Sequence, residues 1–246
     1  MSKYITLLIS LFVYSHVYAR PYTINASEGL AYELGQEKVI DAMNAIYAPL
    51  SITPEVIFLP SRRGLQLVDN GQLDAEAGRI EGAVHNYQNL IKISYPLSQT
   101  RLSIYCIQAQ NCSATANSSA VTIQGGLIAQ QFCKKQHLNC TQVMNDISAF
   151  KALEKHHAPA IIANDRFALA TICESGLRKL YTRPLTKELP IHHYVHNKHA
   201  ALVPKITKSI EQLVQSSALP NTFQSLSDAA NECGVILTEI ENNNIE

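Results

Sequence analysis

A two-lobed α/β architecture with two hinge crossings is the fold class that this chain of 246 residues predicts. Three observations carry that expectation. Helix-period and strand-like stretches alternate along most of the chain. Two extended segments, Leu102 to Ile107 and Leu189 to Val195, interrupt the alternation and have the character of strands passing between lobes. The length suits one large α/β domain or two lobes of about 100 residues each.

The first residues read as a leader. Lys3 supplies a positive start, Ile5 to Val13 is an apolar run broken only by Thr6 and Ser10, and Val17-Tyr18-Ala19 ends in small residues. This is the pattern of a secretory signal peptide, residues 1–19, cleaved after Ala19. Its apolar core of roughly nine residues falls well short of the roughly 20 that a spanning helix needs. No Cys follows the cut, and no later segment is apolar for long enough to span a bilayer. The mature chain is expected to be soluble and exported.

In the mature part Tyr22 to Ala26 reads as a first strand. Gly35 to Tyr47 reads as a helix with Val39, Ala42, Met43 and Ile46 on one face, and Ile52 to Leu59 as a second strand. From Leu59 to Arg79 the chain then forms a helix-to-strand unit with arginines at both ends. Ser61 is placed to cap the helix, Leu65 and Val68 give its apolar face, and Gly71 sits where a left-handed C-terminal residue is wanted, with Leu73 as its hydrophobic partner. Asp74 to Arg79 is short and made mainly of small residues. It suits a buried strand with room above its carboxyl end, where open α/β sheets place ligands. Leu90 to Ile93 is a further short strand, completing a β-α-β-α-β pattern of the parallel kind.

A second set follows the first crossing. Val121 to Gln124 is a strand, Gly125-Gly126 a tight turn, Leu127 to Lys135 a helix, Thr141 to Met144 a strand and Ile147 to His156 a helix. Ala160 to Ala163 and Phe167 to Gly176 complete it, with Gly176 as a C-terminal cap. After the return crossing, Ala200 to Ser217 is a helix with Leu202, Ile206, Ile210, Leu213 and Val214 on one face; Pro204 falls in its first turn, where it is tolerated. The final Asn and Glu residues are expected to fray.

Composition narrows the class by exclusion. Twenty Lys and Arg balance twenty Asp and Glu, so there is no basic field to hold nucleic acid or an anionic membrane. All six cysteines, Cys106, Cys112, Cys133, Cys140, Cys173 and Cys233, lie in the mature part, and an even count in an exported chain favours disulfides. Sequence alone does not choose among the possible pairings. Local spacing suggests Cys106 with Cys112 and Cys133 with Cys140, leaving Cys173 with Cys233. Cys133, His137 and Cys140 would make three zinc ligands, but oxidation competes for the thiols and no matching fourth ligand is evident. His192 and His196 have the i, i+4 spacing of helical zinc ligands, yet their segment reads as extended, where that spacing does not converge. No metal and no cofactor are expected. There is no Gly-x-Ser-x-Gly elbow, no His-Glu-x-x-His and no Gly-x-x-x-x-Gly-Lys.

Taken in order, several segments resemble the bacterial extracellular solute-binding proteins of family 3. These are the exported start, the Leu59 to Arg79 unit, Tyr95-Pro96-Leu97, the Val121 to Gly126 strand and turn, and His193-Tyr194-Val195-His196 leading into Leu202-Val203-Pro204. The resemblance covers nearly the whole mature chain and implies a type II periplasmic binding protein fold: two lobes joined by two crossing strands and closing over a small polar solute. On this reading residues 20–102 and 194–246 form lobe 1 and residues 103–193 form lobe 2. A monomer is expected in the periplasm, presenting its solute to an ABC permease or a sensor domain. The family's amino-acid binders hold the ligand carboxylate with an arginine in a Thr-x-x-Arg setting; counting on from Asp74, Asn86 stands there instead.

Arg79 is the candidate to take over that role, since a guanidinium grips a carboxylate or phosphate with two parallel hydrogen bonds. A salt bridge to Glu76, Glu81 or a distant acid is its competing structural use. Of Arg62 and Arg63, which diverge on a helix, Arg63 is preferred for the cleft. Glu28 is placed to hold an amine or guanidinium, and Tyr32 to add an aromatic wall. Gly126, with Gly125, opens a helix whose bare amides would receive an anionic group. Asp165, beside Asn164, resembles the family's position where an acid meets a ligand amine, with capping of the following helix as the alternative. An exported hydrolase or lyase on a similar two-lobed scaffold is the class-distinct alternative function.

Overall fold

The computed structural model describes residues 20–216, 218–219 and 233–240. The expected leader, residues 1–19, and the terminal residues expected to fray lie outside these. Two six-stranded sheets, each with helices on its faces, form the molecule.

The first lobe opens with β1 (Thr23–Ser27), a fully buried strand, followed by α1 (Glu28–Leu34), which the sequence reading does not contain. Ser27 caps α1 by accepting from the Leu30 amide at 3.2 Å. Gly35, at φ +82°, separates α1 from α2 (Gln36–Tyr47), whose Val39, Met43 and Ile46 face the core. Then come β2 (Glu55–Leu59), α3 (Ser61–Asp69), β3 (Ala75–Ile80), the short α4 (Glu81–Val84), β4 (Leu90–Lys92) and β5 (Ser98–Thr100). At α3 the structure corrects one detail. Pro60 is the capping residue and Ser61 the first helical one, with no side-chain cap bond. The other end is as expected, with Gly71 left-handed at φ +71° and Leu73 buried.

β1, β2 and β3 are parallel, as the β-α-β-α-β pattern predicts, but β4 is not part of that run. It pairs antiparallel with β11 (Leu189–His196), which inserts between β3 and β4 and also carries β5. The second sheet contains β6 (Leu102–Cys106), β7 (Ser119–Ile123), β8 (Asn139–Val143), β9 (Ile161–Asn164), β10 (Lys179–Pro184) and β12 (Ile236–Glu239). Its helices are α5 (Leu127–Lys135), α6 (Asp146–Glu154) and α7 (Asp165–Glu174); α8 (Val203–Gln215) packs back on α2 in the first lobe.

Strand pairing therefore redraws the expected division. The chain changes sheets between Thr100 and Leu102, and returns between Pro184 and Leu189. The whole of β11 belongs to the first sheet, although the division at 193/194 cuts through it. Past α8 the chain goes over again, because β12 lies at the edge of the second sheet beside β10, in parallel. The expectation that residues 194–246 all belong to lobe 1 is thus corrected for the C-terminal strand, which is too short and too exposed to announce its partner.

Each lobe has its own core. Ile24, Ala26, Met43, Ile46, Ala75, Ala77, Val195, Ile206 and Ile210 fill the first. The second sheet is covered on both faces, by Phe150, Leu153, Ile161 and Ile172 on one and by Leu102, Ile104, Ala129 and Ile162 on the other. Three disulfides join the pairs that local spacing suggests: Cys106–Cys112, Cys133–Cys140 and Cys173–Cys233, with Cα atoms 5.5, 6.1 and 5.6 Å apart. Among the described residues no helix is long and apolar enough to cross a membrane.

Candidate functional site

A cleft of about 940 Å³ lies between the two sheets, within the size range of small-molecule sites. Its walls are the carboxyl ends of the parallel strands: Ser27 after β1, Ala77 to Ile80 of β3, Ile123 to Gly126 after β7, Asn145 and Asp146 after β8, and Asn164 of β9. The lobes touch at its rim. Gln131 Nε2 donates to Gly82 O across 3.4 Å, and α4 packs against α5.

On the first lobe the site is built around Arg79. A strict strand alternation would put Glu76 and Arg79 on opposite faces of β3. The ladder to β11 slips here: Arg79 is opposite His192 and Glu76 opposite Tyr194, so two residues of β3, Ala77 and Gly78, stand against one, His193. This bulge turns Arg79 back, and its guanidinium reaches the Glu76 carboxylate at 3.1 Å. Glu76 is fully buried and also accepts from Asn25 Nδ2. Burial pushes its carboxyl up to about 7, while Arg79, Asn25 and the Gly78 amide pull the other way. Nη2 is the nitrogen that meets Glu76, while the buried Nε has no hydrogen-bond partner, and the residue lines the cleft. Arg79 thus makes the salt bridge weighed as its structural use and also lines the cleft.

Gly64 makes this stack possible. A Cβ there would lie 2.2 Å from Asn25 Nδ2, so the amide that braces Glu76 occupies the space of a missing side chain in the middle of α3.

Of the other expected first-lobe residues, Glu28 and Tyr32 line the cleft, and Tyr32 is 47% exposed. Arg63 does not line it; Arg62 does, the reverse of the preference between the two, and α3 starts one residue earlier than a Ser61 cap implies. Asn86 lies in an exposed turn outside the lining. Ser98 and Thr100, at the first crossing, present buried hydroxyls without partners.

On the second lobe Gly125, at φ +87°, and Gly126 form the turn that opens α5, and both line the cleft. A side chain at Gly126 would come within 3.0 Å of the Ile123 carbonyl oxygen. Asp165 is corrected: it is absent from the lining, accepts from Arg101 Nε at 3.0 Å and from Tyr105 Oη at 2.9 Å, and ties the first crossing to α7. Its neighbour Asn164 lines the cleft instead, with Oδ1 buried and unpartnered. Neither side chain caps α7. Asp146, which the sequence reading passes over, also lines the cleft.

The histidines serve the framework. His193 is fully buried, with Nε2 2.9 Å from Tyr47 Oη and Nδ1 3.2 Å from the Ala77 carbonyl; burial lowers its pKa to about 4 and keeps it neutral. His192 Nδ1 lies 2.8 Å from the Ile93 carbonyl. His199 joins Lys198 on Asp74, 2.9 and 2.7 Å away, which also accepts from Thr23. Although partial burial opposes it, this set of donors holds the Asp74 carboxyl well below the usual range. Among the described residues no group of three or more His, Cys, Asp or Glu side chains is placed to hold a metal ion.

No protein-family model matches this chain, and no curated protein matches it. Solved structures do. The GluR0 ligand-binding core from Nostoc punctiforme, in complex with L-glutamate, is 17% identical, with a TM-score of 0.65 over 85% of this chain and 98% of that one. An amino-acid ABC transporter substrate-binding protein from Streptococcus pneumoniae, bound to L-arginine, is 12% identical, with a TM-score of 0.64 over 87% and 95%. A histidine kinase sensor domain with similarity to periplasmic binding proteins is 12% identical, with a TM-score of 0.58 over 88% and 97%. The fold is the two-lobed one of periplasmic binding proteins, as the resemblance in sequence implied.

Proposed function

We propose that this protein is a periplasmic solute-binding protein that captures a small polar solute between its lobes and presents it to a membrane transporter or sensor. The observation that carries the reading is the cleft itself, whose two walls come from different sheets and hold Arg62 and Arg79 on one side and the Gly125–Gly126 turn on the other. An anionic group of the solute sits on the arginines, with the amides at the start of α5 as added donors. Only a closed arrangement lets both walls touch one solute, so binding shifts the population of an open, hinged form toward a closed one. The leader expected from the sequence, the three disulfides and the lack of a basic field support an exported protein that engages neither nucleic acid nor the bilayer, acting as a monomer. The sensor-domain neighbour and the transporter-linked neighbour support the two kinds of membrane partner equally.

The test is a thermal-shift screen of the mature protein with amino acids, polyamines, small carboxylates and short peptides. A solute at a hundred times its Kd adds about 2.7 kcal/mol, a rise of roughly 5–10 °C for a chain of this size. No shift across the panel counts against the reading. Turnover of a panel member, abolished by one cleft substitution, would favour the exported hydrolase or lyase instead.

A further inference from the structure

We infer that Glu76 is the positioning residue for Arg79 and that it takes up a proton from solvent when an anionic group of the solute settles on that arginine. The inference rests on the solute-binding reading above. Glu76 is fully buried and does not line the cleft, so it acts on the solute only through Arg79. The 3.1 Å contact between Glu76 Oε1 and Arg79 Nη2, together with the bulge of β3, holds the guanidinium at the cleft wall. Asn25 fixes Glu76 in turn, from the space that Gly64 leaves open.

Few charges surround this pair. β1 contributes the neutral Asn25, and α3 turns Gly64 toward it while Arg62 and Arg63 are exposed and Asp69 accepts from the Asn89 amide. β11 brings Tyr194 opposite Glu76 and His192 opposite Arg79, with His192 Nδ1 at the Ile93 carbonyl. His193, between them, stands against Tyr47 and the Ala77 carbonyl. On α4 the carboxylate of Glu81 meets Lys92 at 2.9 Å. Among the described residues Arg79 is thus the cation that balances Glu76. An anion on Arg79 shares that one positive charge and adds a negative charge beside the carboxylate. Water cannot reach Glu76 to compensate, so the buried group takes a proton instead of staying charged. Burial already holds its carboxyl at about 7, and the added charge moves it further up, by roughly 1–2 units. The bound form then carries more protons than the free form, and by linkage affinity falls as pH rises.

The test is calorimetry on the full mature chain at pH 7.5, in phosphate and in Tris, whose different ionisation heats count the protons exchanged on binding. The probes are the amino acids and small carboxylates of the screen, whose carboxylates stay ionised from pH 6 to 8. Binding should take up roughly 0.5–0.7 proton, and affinity should be roughly 5- to 10-fold tighter at pH 6 than at pH 8. Glu76→Gln should remove both the uptake and the pH dependence, with affinity within about threefold of wild type at pH 6. Asp146, a cleft acid that burial raises to about 6, is the control: Asp146→Asn should keep the uptake. If Glu76→Gln does not fold, carboxyl-carbon NMR of the wild-type chain follows Glu76 directly, and its midpoint should rise by at least about one pH unit on binding. Absence of uptake in wild type, uptake that survives Glu76→Gln or vanishes in Asp146→Asn, an unmoved midpoint, or weakening by Glu76→Gln with the pH slope kept overturns the inference and leaves the solute-binding reading in place. Binding of a polyamine alone does the same. Silence of wild type toward every compound overturns the solute-binding reading and the inference with it.

Discussion

Arg79 is held by an acid that has no other cation. Glu76 is fully buried, so Arg79→Ala would strand a carboxyl whose pKa already stands near 7. The buried pair therefore ties this substitution to stability as well as to the cleft. A carboxyl with a raised folded pKa contributes stability below its unfolded value, and that stability is lost as pH rises through the folded value. In Arg79→Ala the folded value moves further up, so stability should fall between pH 7 and 9, where wild type is nearly flat, by about 3 kcal/mol. Urea unfolding at pH 7 and at pH 9 measures it, and Arg79→Ala/Glu76→Gln should be flat again. That window avoids His193, whose lowered pKa removes stability only as pH falls below 6.5. Arg79 could be read from sequence because it ends a strand of small residues. Glu76 could not, because its partnership depends on a bulge, and two-residue alternation places the pair on opposite faces.

The contact between α3 and β1 illustrates how an element can be recognised while its reason is missed. Leu65, Val68 and Gly71 mark α3 plainly, and both hydrophobic residues are fully buried. Gly64 carries the further signal, since a glycine inside a helix is unfavourable by about 1 kcal/mol relative to alanine and calls for a close approach. Asn25 makes that approach. Gly64→Ala should therefore destabilise the protein, by about 1–3 kcal/mol, where helix propensity alone predicts a gain. It should also weaken solute binding by letting go of Glu76. Chemical unfolding and calorimetry on the one variant check both; a more stable variant would show that the asparagine moves aside freely. The elements that escaped the sequence, α1, α4, β5, β10 and β12, are short or lie beside others that specify them. β12 has no buried residue in its four, and β10 alternates throughout but buries Leu180, Thr182 and Pro184, so its inward face carries little apolar signal.

At the scale of the molecule, two sheets and two crossings were legible because helical and extended periods alternate, whereas the placement of β11 between β3 and β4 depends on long-range pairing that no local pattern records. The cleft was legible as a place, at the ends of parallel strands, and less so as a set of side chains, since Arg62, Asn164 and Asp146 face it rather than Arg63 and Asp165. The C-terminal return to the second sheet is fastened by Cys173–Cys233, which closes 60 residues, against 7 for Cys133–Cys140. From loop closure, Cys173→Ala/Cys233→Ala should lose about 4 kcal/mol and Cys133→Ala/Cys140→Ala about 2.4 kcal/mol. Calorimetric unfolding of the two variants ranks them, and the reverse order would mean that native strain outweighs chain entropy. The connectivity has one more consequence. Each cysteine is joined to the next one along the chain, first to second, third to fourth, fifth to sixth. A polypeptide emerging N-terminus first from a membrane pore into an oxidising compartment would reach the native set by pairing each thiol with the next to appear, without a disulfide isomerase to undo mistakes. Only Cys173 must wait, until the strand that completes the first lobe and the helix behind it have followed it out.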